Sequence, residues 1–200
     1  MNGPFDLIVV GGGPAGAAAG IEALGRGLRV ALLERRPFPR HRPGETLHPG
    51  VEPILRQLGV FAAVEALQPI RPAAVMTAWG QAGRLIPFGQ DDRGPWRGFQ
   101  VLRSDFDRLL LLRFTELGGK LVQPAVDVSP IIGADSVRGV RSGALVLEAE
   151  ATIDASGCGG FLRRMLGIGV SRCSSRLVAR YGYRRGAFAA TPHLTGDATG

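Results

Sequence analysis

The stretch that decides the fold is Phe5–Arg36, FDLIVVGGGPAGAAAGIEALGRGLRVALLERR. It begins with a short apolar run, continues through a glycine-rich turn and a run of small residues, and ends with a second apolar run and an acid. A short, continuously apolar run is typical of a strand buried on both faces of a parallel sheet. The order of segments therefore predicts a strand, a helix and a second, parallel strand.

Three glycines follow the first strand at the spacing GxGxxG, namely Gly11, Gly13 and Gly16. In Rossmann-like folds, the first permits a tight turn, the second lets the backbone approach a pyrophosphate, and the third lets the helix pack closely on the strand. Pro14 suits a first helical turn, whose N-terminus favours an anion. Glycine-rich turns alone are common, so the strand before this turn and the helix after it carry the prediction of a dinucleotide site.

Glu34 ends the second apolar run, at the spacing expected of an acid that binds an adenosine ribose. A carboxylate there can accept hydrogen bonds from both ribose hydroxyls, and it repels a 2′-phosphate. We therefore expect FAD or NAD rather than NADP. The alternative is a strand–helix–strand unit that binds no nucleotide.

Composition narrows the class of protein. The 200 residues suffice for one full domain, or for one domain and part of a second. The formal net charge of +7 comes from scattered arginines, so nucleic-acid binding is not expected. Cys158 and Cys173 form no CxxC motif, so neither a disulfide framework nor a metal site is predicted. Glycines and a proline interrupt the N-terminal apolar run, which predicts neither a signal peptide nor a membrane span, and we expect a cytoplasmic protein.

The middle of the chain predicts an insertion between two parts of the nucleotide domain. Residues 35–50 are rich in proline and arginine, which predicts an irregular loop that contacts phosphate or flavin, or else a plain surface loop. A helix is expected over Val51–Leu58. Short apolar runs broken by proline and glycine over Leu67–Gln100 predict antiparallel strands. A further helix is expected after Ser104 or Asp105, either of which can serve as its N-cap.

The rest of the chain predicts further strands and one helix. A strand is expected over Leu121–Val128, and an antiparallel hairpin or meander over residues 137–148. Ala151–Gly157, ATIDASG, is expected to be the last strand of the nucleotide domain and the turn after it. Phe161–Leu166 resembles a short helix, and Leu177–Tyr183 resembles a strand.

The order of the motifs GGGPAG with Glu34, PGETLHPG, VLRSDFDRLLL and TIDASG resembles the flavoprotein monooxygenase superfamily, whose FAD domain is of the glutathione-reductase type. The similarity is greatest to the branch that contains flavin-dependent halogenases, geranylgeranyl-reductase-like enzymes and flavoproteins that mature quinone-cofactor enzymes. It implies an α/β fold: a Rossmann-like FAD-binding domain, an antiparallel β insertion and the start of a mixed substrate domain. The implied limits are 1–66 and 101–170 for the two parts of the FAD-binding domain, 67–100 for the substrate-side insertion and 171–200 for the substrate domain.

The resemblance also implies where FAD is held. Arg103 is expected to reach toward the pyrophosphate and Val126 to contact the adenine. The segment from Asp154 to Gly157 matches the second small-residue turn of the family's nucleotide domain. The expected cofactor-binding residues are Gly11, Gly13, Pro14, Ala15, Gly16, Glu34, Arg35, Arg103, Val126, Asp154 and Gly157.

Several departures from the family pattern refine this expectation. Halogenases of this branch are expected to carry a lysine in the insertion, and residues 60–100 contain none, although Trp79-Gly80 is similar to the halogenase sequence nearby. Halogenation is therefore disfavoured. Disulfide reductases of the same fold need a cysteine pair early in the chain, and no cysteine precedes Cys158. The family's later Gly-Asp turn is not matched by Gly196-Asp197, so we expect the chain to be the N-terminal part of a longer enzyme.

The expected function is that of an FAD-dependent oxidoreductase of the monooxygenase type, with NAD(P)H as electron donor and a small-molecule or peptidyl substrate. The alternatives are a geranylgeranyl-reductase-like flavin reductase, a plain NAD-dependent dehydrogenase, and a truncated FAD-binding module without turnover. Glu45 and His48 are candidates for orienting the substrate or flavin, and a solvated or backbone-bonded role is the alternative for each. No catalytic residue is assigned.

Overall fold

The structure, a computed structural model, describes residues 4–77, 83–171, 173–175, 178 and 180. Its helices are α1 (Pro14–Gly25), α2 (Glu52–Gln57), α3 (Phe61–Ala66), α4 (Arg103–Glu116) and α5 (Phe161–Met165). Its strands are β1 (Phe5–Val10), β2 (Val30–Leu33), β3 (Glu45–Leu47), β4 (Ala74–Thr77), β5 (Arg84–Pro87), β6 (Gln90–Asp91), β7 (Gly94–Pro95), β8 (Phe99–Val101), β9 (Lys120–Val122), β10 (Val128–Ile132), β11 (Val137–Ser142) and β12 (Leu145–Asp154). Short 3₁₀ turns lie at Pro49–Val51 and Gly157–Gly159.

One six-stranded sheet carries the fold, with the strand order β10–β11–β12–β1–β2–β9. Neighbours among β12, β1, β2 and β9 are parallel, whereas β10 and β11 are antiparallel additions at one edge. Parallel neighbours need a crossover connection, and α1 provides it between β1 and β2. The predicted α/β fold with a parallel sheet is confirmed.

Both faces of the central strands are buried, as their continuous apolar runs predict. Leu7 and Val9 belong to a core that includes side chains of α1, α2, α3 and α4. Ile8 and Val10 belong to a second core, which includes side chains of β11, β12 and α5. Successive side chains of a strand point to opposite faces, so one short strand supplies both cores.

The strand predicted over Leu121–Val128 was wrong in its extent. The structure has two strands there, because β9 ends at Val122 and β10 begins at Val128. Pro124 has no N–H to donate to a strand ladder, and Asp127 adopts a positive φ of 46°. The chain therefore leaves the parallel sheet after β9 and re-enters at its opposite edge.

The predicted hairpin strand ending at residue 148 and the predicted strand beginning at Ala151 are one strand, β12. Its first residues pair antiparallel with β11, and the residues from Ala149 to Asp154 pair parallel with β1. Charged side chains at Glu148 and Glu150 interrupt the apolar pattern, which is why the sequence predicts two separate strands. The central sheet and its antiparallel edge thus share a single continuous strand.

The segment between β2 and α4 forms small antiparallel pairs. β4 pairs with β5, and β6 with β7, which confirms the antiparallel strands predicted over Leu67–Gln100. β3 pairs with β8, so the loop predicted at residues 35–50 contains one short strand. That strand lies between Pro43 and Pro49, where the chain carries no proline. The domain limits remain predictions.

The other helices predicted from the sequence are also present in the structure. The helix predicted over Val51–Leu58 is α2, which a separate helix, α3, follows. The helix predicted over Phe161–Leu166 is α5. The N-cap predicted at Ser104 or Asp105 was wrong, because α4 begins at Arg103 with Leu102 as its N-cap. Trp79-Gly80 and Gly196-Asp197 lie outside the described residues, as does most of the strand predicted over Leu177–Tyr183.

Gly20 sets how closely α1 packs against α4. A Cβ at this position would lie 2.8 Å from Cδ2 and Cε2 of Phe114, whose side chain is fully buried. Gly20→Ala is therefore expected to lower the free energy of unfolding by about 1–3 kcal/mol through overpacking, as measured by urea denaturation.

Gly25→Ala is the matched control, because it adds the same methyl group to the same helix. Nothing lies within 4 Å of a Cβ at Gly25. We expect this substitution to be neutral or to stabilise the fold by up to about 1 kcal/mol. Equal losses of stability in Gly20→Ala and Gly25→Ala would contradict the packing argument.

Candidate functional site

A cleft of about 670 Å³ opens where β1, β2 and β12 end. Its walls include Gly11, Glu34 and Ala155, each of which directly follows one of these strands. Open α/β sheets bind their ligands outside the carboxyl ends of the strands. The cleft is also lined by most of the expected cofactor-binding residues, namely Gly11, Gly13, Pro14, Ala15, Glu34, Arg35, Arg103 and Gly157.

The glycine turn combines packing with open space. Gly11 has a φ of +116°, and a Cβ there would collide with the carbonyl oxygen of Ala155. A Cβ on Gly16 would collide with the carbonyl oxygen of Gly11. At Gly13, in contrast, a Cβ would meet only Nη2 of Arg40, at 3.5 Å. Gly11 and Gly16 therefore close the turn, and Gly13 leaves room in the cleft for a ligand.

Glu34 is held rigidly at the end of β2, with a side chain that is only 3% exposed. Its Oε2 accepts hydrogen bonds from the N–H of Gly12 at 2.9 Å and from Nη1 of Arg40 at 3.0 Å. Its Oε1 accepts a hydrogen bond from the N–H of Arg36 at 2.9 Å. The carboxylate therefore binds the glycine turn and the loop that follows β2, in addition to facing the cleft.

A chain of alternating charges runs from Glu34 to the start of α4. Nη2 of Arg40 donates to Oδ2 of Asp107 at 3.2 Å, and both side chains are buried, with exposed fractions of 9% and 0%. Arg103 donates to the same carboxylate from Nε at 2.7 Å and from Nη2 at 3.1 Å. Its Nη1 donates to Glu45 at 3.2 Å. Each buried carboxylate thus has a cationic partner, as burial of a charge requires.

These partners place Arg103 and stabilise its charged form. Its hydrogen bonds to Asp107, one helical turn further along α4, raise the pKa of its guanidinium, and Glu45 adds to the effect. Arg103 lines the cleft, about half-way between buried and exposed. Its contact with a pyrophosphate stays a prediction.

Val126 has partners of its own beside the cleft. Its N–H donates to Oγ of Ser142 at 3.0 Å, and that hydroxyl donates to the Val126 carbonyl oxygen at 3.0 Å. Its side chain is exposed, whereas its neighbours Ala125 and Asp127 line the cleft. The adenine contact of Val126 stays a prediction, and both of its backbone groups already have a hydrogen-bonding partner.

Asp154 holds the turn that follows β12. Its Oδ1 accepts hydrogen bonds from the N–H and the hydroxyl of Ser156, and its Oδ2 accepts one from the N–H of Leu162 at 2.8 Å. Desolvation raises the pKa of this carboxyl, but the hydrogen bonds from Ser156 and from the backbone of α5 outweigh it, so the pKa lies below its ordinary value. Asp154 therefore fixes Gly157, which lines the cleft.

Glu45 and His48 have structural partners. Glu45 pairs with Arg103. Nδ1 of His48 accepts a hydrogen bond from the N–H of Gly50 at 3.2 Å, and its ring meets Phe88 edge-on with the centroids 5.2 Å apart. Neither residue belongs to the lining of the cleft. These contacts favour the bonded-loop interpretation of both residues.

Several residues of the site are not predicted from the sequence. Asp107 was assigned no role, although its spacing of four from Arg103 is that of a helical ion pair. Ala125, Cys158 and Arg164 line the cleft and carry no motif that would have marked them. Arg40 was expected only as one of several arginines in a phosphate-contacting loop.

The part of the chain that the structure describes holds neither a membrane-spanning helix nor a cluster of metal ligands. In that part, no helix combines the length and the apolar character that crossing a membrane requires. No group of three or more histidines, cysteines and acids in the same residues is arranged to hold a metal ion.

The parallel sheet, the glycine turn after β1, the buried acid after β2 and the arginine-lined cleft define a dinucleotide-binding protein of the Rossmann-like class. Comparison with known families agrees, since the family described as FAD dependent oxidoreductase matches residues 6–39. The chain belongs to the FAD-dependent oxidoreductase superfamily.

Individual relatives and structures extend the similarity over most of the chain. A tryptophan 2-halogenase of Chondromyces crocatus is 32% identical over 189 residues, which cover 90% of this chain and 36% of that protein. A 1H-pyrrole-2-carbonyl-[peptidyl-carrier protein] brominase of Pseudoalteromonas luteoviolacea is 34% identical over 80% of this chain and 39% of its own length. The structure of the myxobacterial chondrochloren halogenase CndH superposes with a TM-score of 0.70 and 31% identity, over 76% of this chain and 37% of that one. The chain thus spans less than half the length of these relatives.

Asp154→Asn tests the anchoring of the turn after β12. Because the pKa of Asp154 is lowered in the folded state, its carboxylate stabilises the fold above the unfolded pKa of about 4, and this contribution is lost as the pH falls through the folded pKa. We expect Asp154→Asn to lower the free energy of unfolding by about 1–2 kcal/mol at pH 7.

The difference between the wild type and Asp154→Asn should narrow as urea denaturation is repeated below about pH 4. Asp135→Asn, in the exposed turn between β10 and β11, is the control and should leave the unfolding free energy within about 0.5 kcal/mol of the wild type. A loss in Asp154→Asn that does not change with pH would show that charge plays no part.

Proposed function

We propose that this chain binds FAD in the cleft at the ends of β1 and β2, as part of an enzyme that oxidises an organic substrate. The observation that carries the proposal is the buried carboxylate of Glu34, which accepts a hydrogen bond from Gly12 within the glycine turn. In Rossmann-like folds, an acid at this position binds the adenosine ribose, and the adjacent turn receives the pyrophosphate.

The first turn of α1 suits a diphosphate. Gly13, Pro14 and Ala15 line the cleft at the N-terminus of this 12-residue helix, where the helix dipole favours an anion. The open space at Gly13 lets a phosphate approach the backbone. The cleft walls add positive charge through Arg35, Arg42, Arg103 and Arg164.

The bound FAD would supply the redox chemistry, with NAD(P)H as the electron donor and dioxygen as the oxidant of a monooxygenase-type reaction. This chain would bind and orient the adenosine and diphosphate part of the cofactor. A small-molecule or peptidyl substrate fits the names of the relatives, of which one refers to tryptophan and another to a pyrrole carried by a peptidyl-carrier protein. The cytoplasmic location belongs to the same proposal.

Halogenation is the second candidate, because the relatives and the CndH structure compared above are halogenases. The sequence argues against it, since residues 60–100 contain no lysine. Lys120 is the one lysine of the chain, and it is an exposed residue of β9 that does not line the cleft. We therefore place oxygenation first.

Gly13→Val separates cofactor binding from folding. The cleft leaves space at Gly13, so the added methyl groups should change the free energy of unfolding by less than about 1 kcal/mol, while they occupy the place of a phosphate. We expect the apparent affinity for FAD to be at least about tenfold lower than in the wild-type chain. The affinity is measured from the change in the flavin absorption band when FAD binds. Gly25→Ala serves as the control that retains FAD. Unchanged FAD binding in Gly13→Val would argue against this site.

The chemistry is tested by anaerobic reduction with NAD(P)H followed by mixing with oxygen. Tryptophan serves as the probe substrate, with and without bromide, and products are identified by mass spectrometry. We expect a product that has gained one oxygen atom under both conditions. A brominated product would support halogenation instead. Oxidation of NAD(P)H without any modified probe would leave FAD reduction as the supported function.

A further inference from the structure

We propose that Arg40 is the positioning residue of the ribose site, because it fixes Glu34 so that a single acceptor position, on Oε1, is left for a ribose hydroxyl. The proposal rests on the proposed binding of an adenine dinucleotide. It changes the expectation for Glu34 from the acceptor of two ribose hydroxyls to the acceptor of one.

The number of acceptor positions that Glu34 has left follows from its hydrogen bonds. An ionised carboxylate offers about four lone-pair positions, two on each oxygen. Oε2 uses both of its positions, one for the N–H of Gly12 at 2.9 Å and one for Nη1 of Arg40 at 3.0 Å. Oε1 uses one position for the N–H of Arg36 at 2.9 Å. One position on Oε1 remains, on a side chain that lines the cleft.

Arg40 is itself held from a second side. Its Nη2 donates to Asp107, which is fully buried and is also bound by Arg103. Its Cζ lies 4.6 Å from the centroid of the Phe38 ring. The Nε of Arg40 is buried without a hydrogen-bond partner among the residues that the structure describes. The two carboxylates therefore set the orientation of the guanidinium, through its two terminal nitrogens.

This arrangement requires an arginine. The guanidinium is a rigid fork that can bind two carboxylates at once, whereas the ammonium group of a lysine is a point charge on a flexible stem. Substitution by lysine would keep the positive charge beside Glu34 and lose the two-sided geometry. A positioning role and a purely electrostatic role of Arg40 thus predict different results for Arg40→Lys.

The experiment measures the binding of ADP, 2′-deoxy-ADP and 3′-deoxy-ADP to the 200-residue chain by calorimetry. The ratio of the dissociation constants of a deoxy analogue and ADP reports one hydroxyl, and a general loss of stability or affinity leaves this ratio unchanged. In the wild type, we expect removal of the hydroxyl bound by Glu34 to weaken binding about tenfold, as for a hydrogen bond to a charged acceptor. In Arg40→Lys, we expect this ratio to fall to within about twofold of one, because Glu34 is no longer fixed.

A second variant guards against loss of folding. Arg40→Met with Asp107→Asn removes one charge of each sign, and an asparagine can still accept a hydrogen bond from Arg103. It should reduce the ratio in the same way as Arg40→Lys. Arg108→Met is the control, since Arg108 is an exposed arginine of α4 next to Asp107, and it should keep the wild-type ratio.

The outcomes separate this inference from the proposed function. Each deoxy analogue gives one ratio of its dissociation constant to that of ADP, and the larger of the two reports the hydroxyl bound by Glu34. If the wild type binds ADP and this larger ratio is unchanged or increased in both Arg40 variants, Arg40 does not position Glu34 and the inference is wrong. If Arg40→Lys alone keeps the wild-type ratio, charge rather than positioning is responsible, which also overturns it. If the wild-type chain does not bind ADP, both the inference and the proposed dinucleotide site are wrong.

Discussion

The hydrogen bond between the Glu34 carboxylate and the N–H of Gly12 is the contact on which the site depends. It ties the end of β2 to the turn after β1, so two neighbouring strands of the sheet define one edge of the cleft. Glu34 can be buried as a charge only because Arg40 and backbone N–H groups compensate it. Asp107 extends the same compensation to α4, which packs on one face of the sheet. The part of the fold around the cleft is therefore organised by electrostatics as much as by apolar packing.

The local part of this arrangement could be predicted from the sequence. Continuous apolar runs, a glycine turn and an acid at a fixed spacing all lie within Phe5–Arg36, and each follows from the requirements of neighbouring residues. The order of strands beyond β2 depends on pairing between distant segments. β9 and β10 are close in sequence, yet they lie at opposite edges of the sheet, and no local pattern encodes that separation.

In the candidate site too, contacts between residues close in sequence are predictable, and contacts between distant residues are not. Gly11, Gly13 and Glu34, which the sequence predicts for one site, line the same cleft, because one strand–helix–strand unit brings them together. The Arg40–Asp107 pair joins residues 67 positions apart, and only the tertiary fold reveals it. The family resemblance implies that Asp154 binds the cofactor, which stays a prediction, and in the structure its hydrogen bonds hold the following turn in shape. The side-chain contacts, unlike the motifs, distinguish residues that line the cleft from residues that support its walls.

The position of β1 in the sheet has a consequence for how the protein folds. One edge of β1 pairs with β2, which is close in sequence, and the other pairs with β12, where Val10 lies opposite Asp154. During synthesis on the ribosome, β1 and β2 emerge before β12, and one edge of β1 stays unpaired until that distant strand arrives. Such long-range parallel pairing is intrinsically slow, because loop-closure entropy opposes it. The nascent chain therefore passes through a period in which one edge of β1, whose residues after Asp6 are all apolar, is open to pairing with other chains.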